Sequence, residues 1–418
     1  MKGIRSLLIF RNINFLLLWS GQVLSQAGTK MYLIAIVWWI LSQTGDHGGI
    51  ALGAFLVAGA LPSILLVKII GKVVDKISSK KILVFFDLLA SGLMFWTTYR
   101  LSAGCLSLPE IYIIGFFVAV VEAFYNPTLS KSIPELVPPE DMENAVAFQT
   151  STQSLASFGG AVAGAFFISW LGIAGVIFTN ACSYIVSAVC NNIIIFKPQK
   201  PYSAASPDGF AESELDLNKI PLLKKILIGF GFVNFFATPI LVILPLYTKH
   251  VLSAGPSTLA ILEAALWIGL LFGTFSAPLF RSSRGIVRLG SHCLGVFGVF
   301  LFLPGLVHLT LFSAVTLFGA GTAMGLNNVK FISLFQLIVP PEVKGKFFAL
   351  MHALVGFTFP VAYLLFGYLG DLMSPDRVCL IQGTGVIALA AYFRYLSKNE
   401  AELYDSKPQS ADAKTSSE

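Results

Sequence analysis

The chain has few charged residues for its length. Only 12% of its 418 residues are Asp, Glu, Lys or Arg, whereas a soluble globular domain carries about 25%. Hydrophobic residues make up 56% of the chain, and the mean hydropathy is +0.78. This composition excludes an ordinary water-soluble domain and predicts that most of the chain lies in a lipid bilayer.

The sequence also lacks the short motifs of enzymes and metal proteins. It contains no HExxH, GxSxG or P-loop pattern, so it lacks the catalytic motifs of hydrolases with these motifs and of ATP-driven pumps. Its five cysteines are scattered and show no CxxC spacing, which favours small core residues over metal ligands. We therefore expect no enzymatic activity, no cofactor and no bound metal.

Twelve apolar runs have the length of about 20 residues that a helix needs to cross a bilayer. They predict an all-α integral membrane protein with twelve transmembrane helices. The predicted spans are 13–40, 49–70, 82–102, 110–130, 146–168, 174–196, 226–247, 258–280, 289–306, 309–332, 347–369 and 378–396.

The distribution of basic residues predicts the orientation. With both termini in the cytoplasm, only Arg100, Lys249 and Arg377 fall outside, while most other Lys and Arg residues lie in cytoplasmic segments. The positive-inside rule predicts this asymmetry for a protein of the cell's inner membrane. The net charge of +6 thus reflects topology and does not indicate a nucleic-acid partner.

Two similar segments indicate a duplicated unit. Asn126 to Glu140 ends in Leu-Val-Pro-Pro-Glu, and Asn328 to Glu342 ends in Ile-Val-Pro-Pro-Glu with the same spacing. Both close the fourth span of a six-span half, and parallel repeats of this kind place a substrate site between the halves. The predicted domains are an N-terminal half (1–196), a polar cytoplasmic linker (197–224), a C-terminal half (225–397) and a disordered cytoplasmic tail (398–418).

The segment Gly71-Lys72-Val73-Val74-Asp75-Lys76-Ile77-Ser78-Ser79-Lys80-Lys81 resembles the signature between helices 2 and 3 of the major facilitator superfamily. The run Phe124-Tyr125-Asn126-Pro127-Thr128-Leu129-Ser130, followed by Ile133-Pro134-Glu135-Leu136-Val137-Pro138, is similar to the macrolide-efflux-like drug:proton antiporter branch. The resemblance implies two pseudo-symmetric six-helix halves that rock in alternating access. It also implies a monomer that exports a hydrophobic or amphipathic small molecule in exchange for protons.

In the family, the aspartate and basic residues of the signature latch the cytoplasmic side. The resemblance therefore predicts a conformational gate made of Gly71, Asp75, Lys76, Lys80, Lys81 and Asp87. Gly71 is expected to allow close backbone approach at a helix end, and Asp87 either joins the gate or faces the loop lysines. The alternative is a solvated loop whose charges only set topology. The counterpart near Arg281 and Arg284 has no acidic residue, so the gate is expected to depend mainly on Asp75.

Two charged residues lie well inside predicted spans of the first half, away from the span ends. Glu122 lies in span 4 and Lys30 in span 1. Charged groups in a membrane are costly and mark functional sites, so we predict that Glu122 carries protons, binds a cationic substrate or pairs with Lys30. The alternatives are a structural ion pair for Glu122 and snorkelling towards the interface for Lys30.

The second half offers three further candidates for the substrate or proton site. Glu263 lies in span 8, Lys330 in span 10 and His352 in span 11. Glu263 and Lys330 are equally well explained as interfacial residues near span ends. His352 is a possible proton relay or a packed neutral histidine.

Two other functions remain open at this stage. One is transport of a lysophospholipid, a siderophore or a nutrient metabolite, because relatives of the resembled branch move such cargo. The other is a non-transporting membrane sensor or scaffold that retains the fold. The charges retained within the membrane and the intact gate segment favour transport.

Overall fold

The computed structural model describes residues 12–45, 48–138, 141–196, 221–280, 285–339 and 341–400. Within these ranges the regular elements are helices joined by turns and short irregular segments. Most of the predicted linker and tail, and Arg281 and Arg284, lie outside the described residues. The α-helices are α1 (Ile13–Thr44), α2 (Gly48–Leu65), α3 (Val67–Lys76), α4 (Ser79–Ser102), α5 (Leu108–Leu136), α6 (Met142–Ile193), α7 (Pro221–Ala237), α8 (Ile240–His250), α9 (Pro256–Ser276), α10 (Ile286–Phe302), α11 (Thr310–Ile338), α12 (Pro341–Leu372) and α13 (Pro375–Leu396).

The helices have the surface of a membrane protein. Ten segments of the described chain are long and apolar enough to cross a bilayer. Large apolar side chains such as Phe117, Trp170, Phe275 and Leu311 are exposed on the bundle, which in water would be an aggregation-prone surface. The predicted spans 146–168 and 309–332 are helical as well, within α6 and α11, but more polar. The expected all-α membrane architecture is confirmed.

Helix ends differ from the predicted spans where the backbone bends. Spans 5 and 6 are two helical segments within the range of α6, as predicted, and they meet at Gly172, whose φ of 69° and ψ of 179° are not helical. Only glycine adopts this backbone conformation without strain. Span 7 is divided into α7 and α8 by a turn at Thr238 and Pro239, because proline cannot donate the backbone hydrogen bond of a continuing helix.

The gate segment, Gly71–Lys81, is partly helical, which corrects the prediction of a tight loop. Span 2 ends at Leu65, and α3 then continues to Lys76 with Ile70 and Val74 buried. Its charged residues Asp75 and Lys76 lie on the exposed face. This alternation is typical of a helix at a membrane surface.

Helices α1–α6 form the first half and α7–α13 the second half. The end of the bundle that carries residues 12 and 400 is called the terminal end, and the other is called the opposite end. The halves pack against each other through α2 and α12, and through α6 and α9. A Cβ at Gly53 would lie 2.6 Å from the Tyr363 carbonyl oxygen, and one at Gly49 would clash with that of Gly367. Glycine thus permits the backbones of α2 and α12 to touch near the opposite end.

Candidate functional site

A cavity of about 430 Å³ lies between the two halves. The first half supplies most of its wall, and α9 closes it from the second half. Its lining combines carboxylate, ammonium, hydroxyl, aromatic and aliphatic groups, a mixture typical of small-molecule sites. The lining residues are Ser25, Gln26, Thr29, Lys30, Asp87, Val121, Glu122, Tyr125, Asn126, Tyr184, Trp267, Leu270 and Leu271.

Lys30 lies at the meeting point of the two halves. Its Nζ is 5.9 Å from the centre of the Trp267 ring, a distance at which a cation is attracted to the ring face. Its charge also acts on Glu122 from the first half and on Glu263 from the second. Among the described residues, no direct ion pair joins Lys30 to either acid. Lys30 and Glu122 therefore line the same cavity, but they do not form the predicted salt bridge.

The close packing of α1 and α6 fixes the position of Lys30. A Cβ at Gly160 would lie 2.6 Å from the Lys30 Cβ and 2.8 Å from the carbonyl oxygen of Ala27. A side chain at this position of α6 would therefore push α1 away. Glycine at position 160 keeps α1 close enough for Lys30 to enter the cavity.

Glu122 reaches the cavity from the middle of α5. It is 14 residues from either end of that helix, roughly 21 Å at 1.5 Å per residue. Its side chain is accessible from the cavity, which places a carboxyl group halfway across the membrane. Glu263 lies one turn before Trp267 on α9 and is half-buried.

Asp87 also borders the cavity and is turned away from the gate segment. Its Oδ2 accepts hydrogen bonds from Ser187 Oγ and Asn191 Nδ2, both at 2.8 Å. The expected contact with the loop lysines is not among its interactions in the described part of the chain. The physical reason is helix register, since Asp87 occupies the face of α4 that packs against α6.

Lys330 of α11 binds the end of α9 and is not among the residues that line the cavity. Its Nζ donates to the carbonyl oxygens of Ala277 (3.0 Å) and Phe280 (2.7 Å), just beyond the last turn of α9. In the first half, Lys131 Nζ donates to Val74 (2.6 Å) and Ile77 (3.0 Å), at the end of α3. A cation bound to free carbonyl oxygens stabilises the negative end of a helix dipole.

The remaining predicted residues lie away from the cavity. His352 is exposed on α12, and Asp75, Lys76 and Lys81 are exposed at the terminal end. Lys80 donates to the carbonyl oxygen of Ile194 at 3.2 Å, within its own half. The predicted close approach at Gly71 is absent, because a Cβ there would meet open space. In this conformation the gate segment is therefore not engaged with described residues of the second half.

Two charged contacts that the sequence did not predict join the halves at the opposite end. Asp371 of α12 accepts from the backbone N–H of Gly49 (2.6 Å) and of Ile50 (2.8 Å), at the start of α2. Lys249 of α8 donates to the carbonyl oxygens of Leu41 and Gly45, at the end of α1. Each charge complements the helix dipole it meets. Lys249 and Asp371 are called the opposite-end clamp.

Several cavity residues were also missed because only three-dimensional packing brings them together. Tyr125 and Tyr184 face the cavity from α5 and α6, and Trp267 faces it from α9. Their sequence neighbourhoods are apolar, so a membrane-facing tryptophan or tyrosine is the default interpretation. The available signal was Glu263, four residues before Trp267 on the same helical face.

Known proteins with similar sequences are membrane transporters. A family model described as the Major Facilitator Superfamily matches residues 18–359. Macrolide efflux protein A of Streptococcus pyogenes is 25% identical over 393 residues, with 90% of this chain and 94% of that protein covered. The uncharacterized MFS-type transporter YkuC of Bacillus subtilis (strain 168) is 26% identical, with 96% of this chain and 97% of that protein covered.

Solved structures with a similar fold are transporters too. A bacterial homologue of the human lysosomal transporter Spinster superposes with a TM-score of 0.73 at 13% identity, covering 94% of this chain and 98% of that chain. The nucleoside transporter NupG superposes with a TM-score of 0.70 at 14% identity, covering 92% and 99%. These likenesses concern the fold, and the family model covers most of the sequence. The chain belongs to the Major Facilitator Superfamily.

Proposed function

We propose that this protein exports a hydrophobic or amphipathic small molecule in exchange for protons, by alternating access. The observation that carries the proposal is the position of Glu122 in the cavity between the halves. A carboxyl group there that makes no direct ion pair with described residues is free to exchange its proton with whichever side the cavity faces. Proton binding is then linked to the conformational change, as a coupled transporter requires.

The charges of the site favour a cationic amphiphile as cargo. Glu122 and Asp87 line the cavity and Glu263 lies near it, whereas Lys30 is its one lining cation among the described residues. Trp267, Tyr125 and aliphatic groups offer apolar contact, and aromatic faces attract cations. The similarity to macrolide efflux protein A supports export of such a compound.

The gate and the orientation belong to the same proposal. Lys72, Lys76 and Lys81 are exposed at the terminal end, so the positive-inside rule places that end in the cytoplasm of a bacterial cell. The opposite-end clamp then closes the outer side. Asp75 with Lys76, Lys80 and Lys81 forms the gate when the cytoplasmic side closes, and the protein acts as a monomer.

The test is transport by the purified protein in lipid vesicles with an imposed pH gradient. Tetraphenylphosphonium, erythromycin and a lysophospholipid serve as probes, and Glu122→Gln is compared with the wild type. We expect gradient-driven uptake of tetraphenylphosphonium or erythromycin, and its loss by about a hundredfold in Glu122→Gln, as for removal of a proton-transfer group. Trp170→Leu, on the exposed surface of α6, is the matched control.

Each other result decides against one part of the proposal. Uptake that ignores the gradient removes proton coupling. Uptake of the lysophospholipid alone replaces the cationic cargo with a lipid. Binding of a probe without any flux, in vesicles whose orientation has been verified, replaces transport with a sensor function.

A further inference from the structure

Asp87 has one satisfied and one unsatisfied oxygen. The residue is 1% exposed, and its Oδ2 holds both of the hydrogen bonds from Ser187 and Asn191. Its Oδ1 is buried and has no hydrogen-bond partner among the described residues. A buried carboxylate oxygen without a donor is costly. A proton on Oδ1 lowers this cost, because the carboxyl group is then uncharged.

The groups around Asp87 form a polar row across α5, α6 and α1, and one member of the row, Tyr184, lies near Glu122. From α6, the side chains of Ser187, Asn191 and Cys190 face Asp87. Tyr184 of the same helix lies near both Asp87 and Glu122, and the charges of both acids act on it. From α5, the hydroxyl of Tyr125 lies 3.4 Å from Ser187 Oγ and 3.3 Å from Asn191 Nδ2.

The row continues from α6 to α1. The hydroxyl groups of Tyr184 and Thr29 are 2.7 Å apart, and Thr29 lies next to Lys30 at the cavity wall. Lys30 is thus the one cation that faces this row from the described helices packed against it. No described base pairs with Asp87 itself.

The two acids stand at different depths. Asp87 is eight residues from the terminal end of α4, roughly 12 Å, whereas Glu122 is roughly 21 Å from the same end of α5. Asn191 is two residues from the end of α6. The polar row therefore runs from the middle of the cavity towards the terminal end.

Resting on the proposed proton coupling, we propose that Asp87 is a second proton-binding group, which exchanges protons with Glu122 through the hydroxyl-lined row. In this step a proton leaves a carboxyl oxygen of Glu122 and another arrives at Oδ1 of Asp87. Glu122 becomes a carboxylate as Asp87 becomes neutral, and the intervening hydroxyl groups are unchanged. This assigns Asp87 to the coupling path and not to the gate.

The test separates coupling from structure by two measurements on the same vesicles. Gradient-driven uptake and gradient-free exchange of tetraphenylphosphonium or erythromycin, whichever the wild type transports faster, are recorded for Asp87→Asn. We expect gradient-driven uptake to fall by about a hundredfold and exchange by no more than about tenfold, since exchange needs cargo binding and rocking but no net proton transfer. Asp87→Glu is expected to restore part of the gradient response.

The outcomes are distinguishable from failure of the proposed function. A wild type that ignores the gradient overturns both ideas. A wild type that responds, together with an Asp87→Asn variant that responds equally, overturns only the relay. Equal loss of uptake and exchange assigns Asp87 a structural role and also overturns it. Should Asp87→Asn fail to fold, Tyr184→Phe decides, because it removes one hydroxyl between the acids; an unchanged gradient response there overturns the relay.

Discussion

At the scale of single residues, Lys30 shows what hydropathy predicts and what it leaves open. A lysine inside an apolar span is costly, which makes it a candidate site residue from sequence alone. Its surroundings depend on α9, where Trp267 and Glu263 approach it from the second half. A local sequence pattern does not predict how one helix is rotated relative to another. The sequence therefore predicted Lys30, Glu122 and Glu263 as site residues but not Trp267, whose ring lies 5.9 Å from Lys30 Nζ.

Removing the charge of Lys30 is expected to strengthen cation binding. Lys30→Met leaves Glu122 and Glu263 without their shared cation, so the affinity for tetraphenylphosphonium should rise about fivefold, the effect of roughly 1 kcal/mol of relieved repulsion. Equilibrium binding to the purified protein measures it, with the exposed Lys72→Met as control. A weaker affinity would show that Lys30 holds the site open.

Gly160 provides a matched pair of adjacent substitutions. Gly160→Ala places a methyl group 2.6 Å from Lys30 Cβ, whereas Gly159→Ala meets nothing within 4 Å. The first should lower the midpoint of thermal unfolding and the transport rate, at a cost of about 1–3 kcal/mol for an overpacked contact. The second should leave both unchanged. Equal effects would show that α1 and α6 separate more freely than the packing indicates.

At the scale of helices, the sequence predicted where apolar runs lie better than where the backbone changes direction. Polar residues such as Gln149 and Gln153 lower the hydropathy of span 5 without preventing a helix. The break at Gly172 falls in the predicted gap between spans 5 and 6, whereas the turn before Ile240 depends on backbone dihedral angles, which composition does not report. Asp87 was assigned to the gate for the same reason, since its partners on α6 are set by helix register.

The two lysines at helix ends should contribute to stability. Lys131→Met and Lys330→Met each leave two carbonyl oxygens without their cation, so each should lower the free energy of unfolding by roughly 1 kcal/mol. Thermal unfolding in detergent measures the effect, with Lys72→Met as the control. A Lys330→Met protein of normal stability but altered transport would return Lys330 to the substrate site, where the sequence had placed it.

At the scale of the whole molecule, the hydrogen bonds by which described charged side chains join the halves are at the opposite end, and the gate segment at the terminal end is disengaged. The sequence predicted the gate because its charges form a recognisable motif. It could not predict the opposite-end clamp, since Asp371 and Lys249 bind backbone groups of α1 and α2. Almost every residue has a backbone N–H and C=O, so a bond to the backbone does not require a particular residue type.

Breaking the clamp is expected to open the opposite end. Asp371→Ala combined with Lys249→Met should shift the population towards the open form by about tenfold, since couplings of this kind amount to 1–3 kcal/mol. Spin labels on Gln43→Cys and Leu372→Cys, in a cysteine-free background, report the distance across that end. Asp376→Ala, whose bond to Ser374 stays within its own half, is the control. An unchanged distance distribution would show that the glycine contacts of α2 and α12 hold the end closed alone.

The lysines that bind the ends of α3 and α9 occupy different positions in the two halves. In the repeat that aligns Asn126 with Asn328, Lys131 corresponds to Ser333 and Lys330 to Thr128. The two lysines are thus displaced by about one helical turn, yet each binds two carbonyl oxygens three residues apart at the end of a neighbouring helix. The two halves therefore make a similar contact from different positions of the repeat. An alignment of the two halves would therefore leave both lysines without a matching residue. The similarity lies in the contact that they make and not in the residue types.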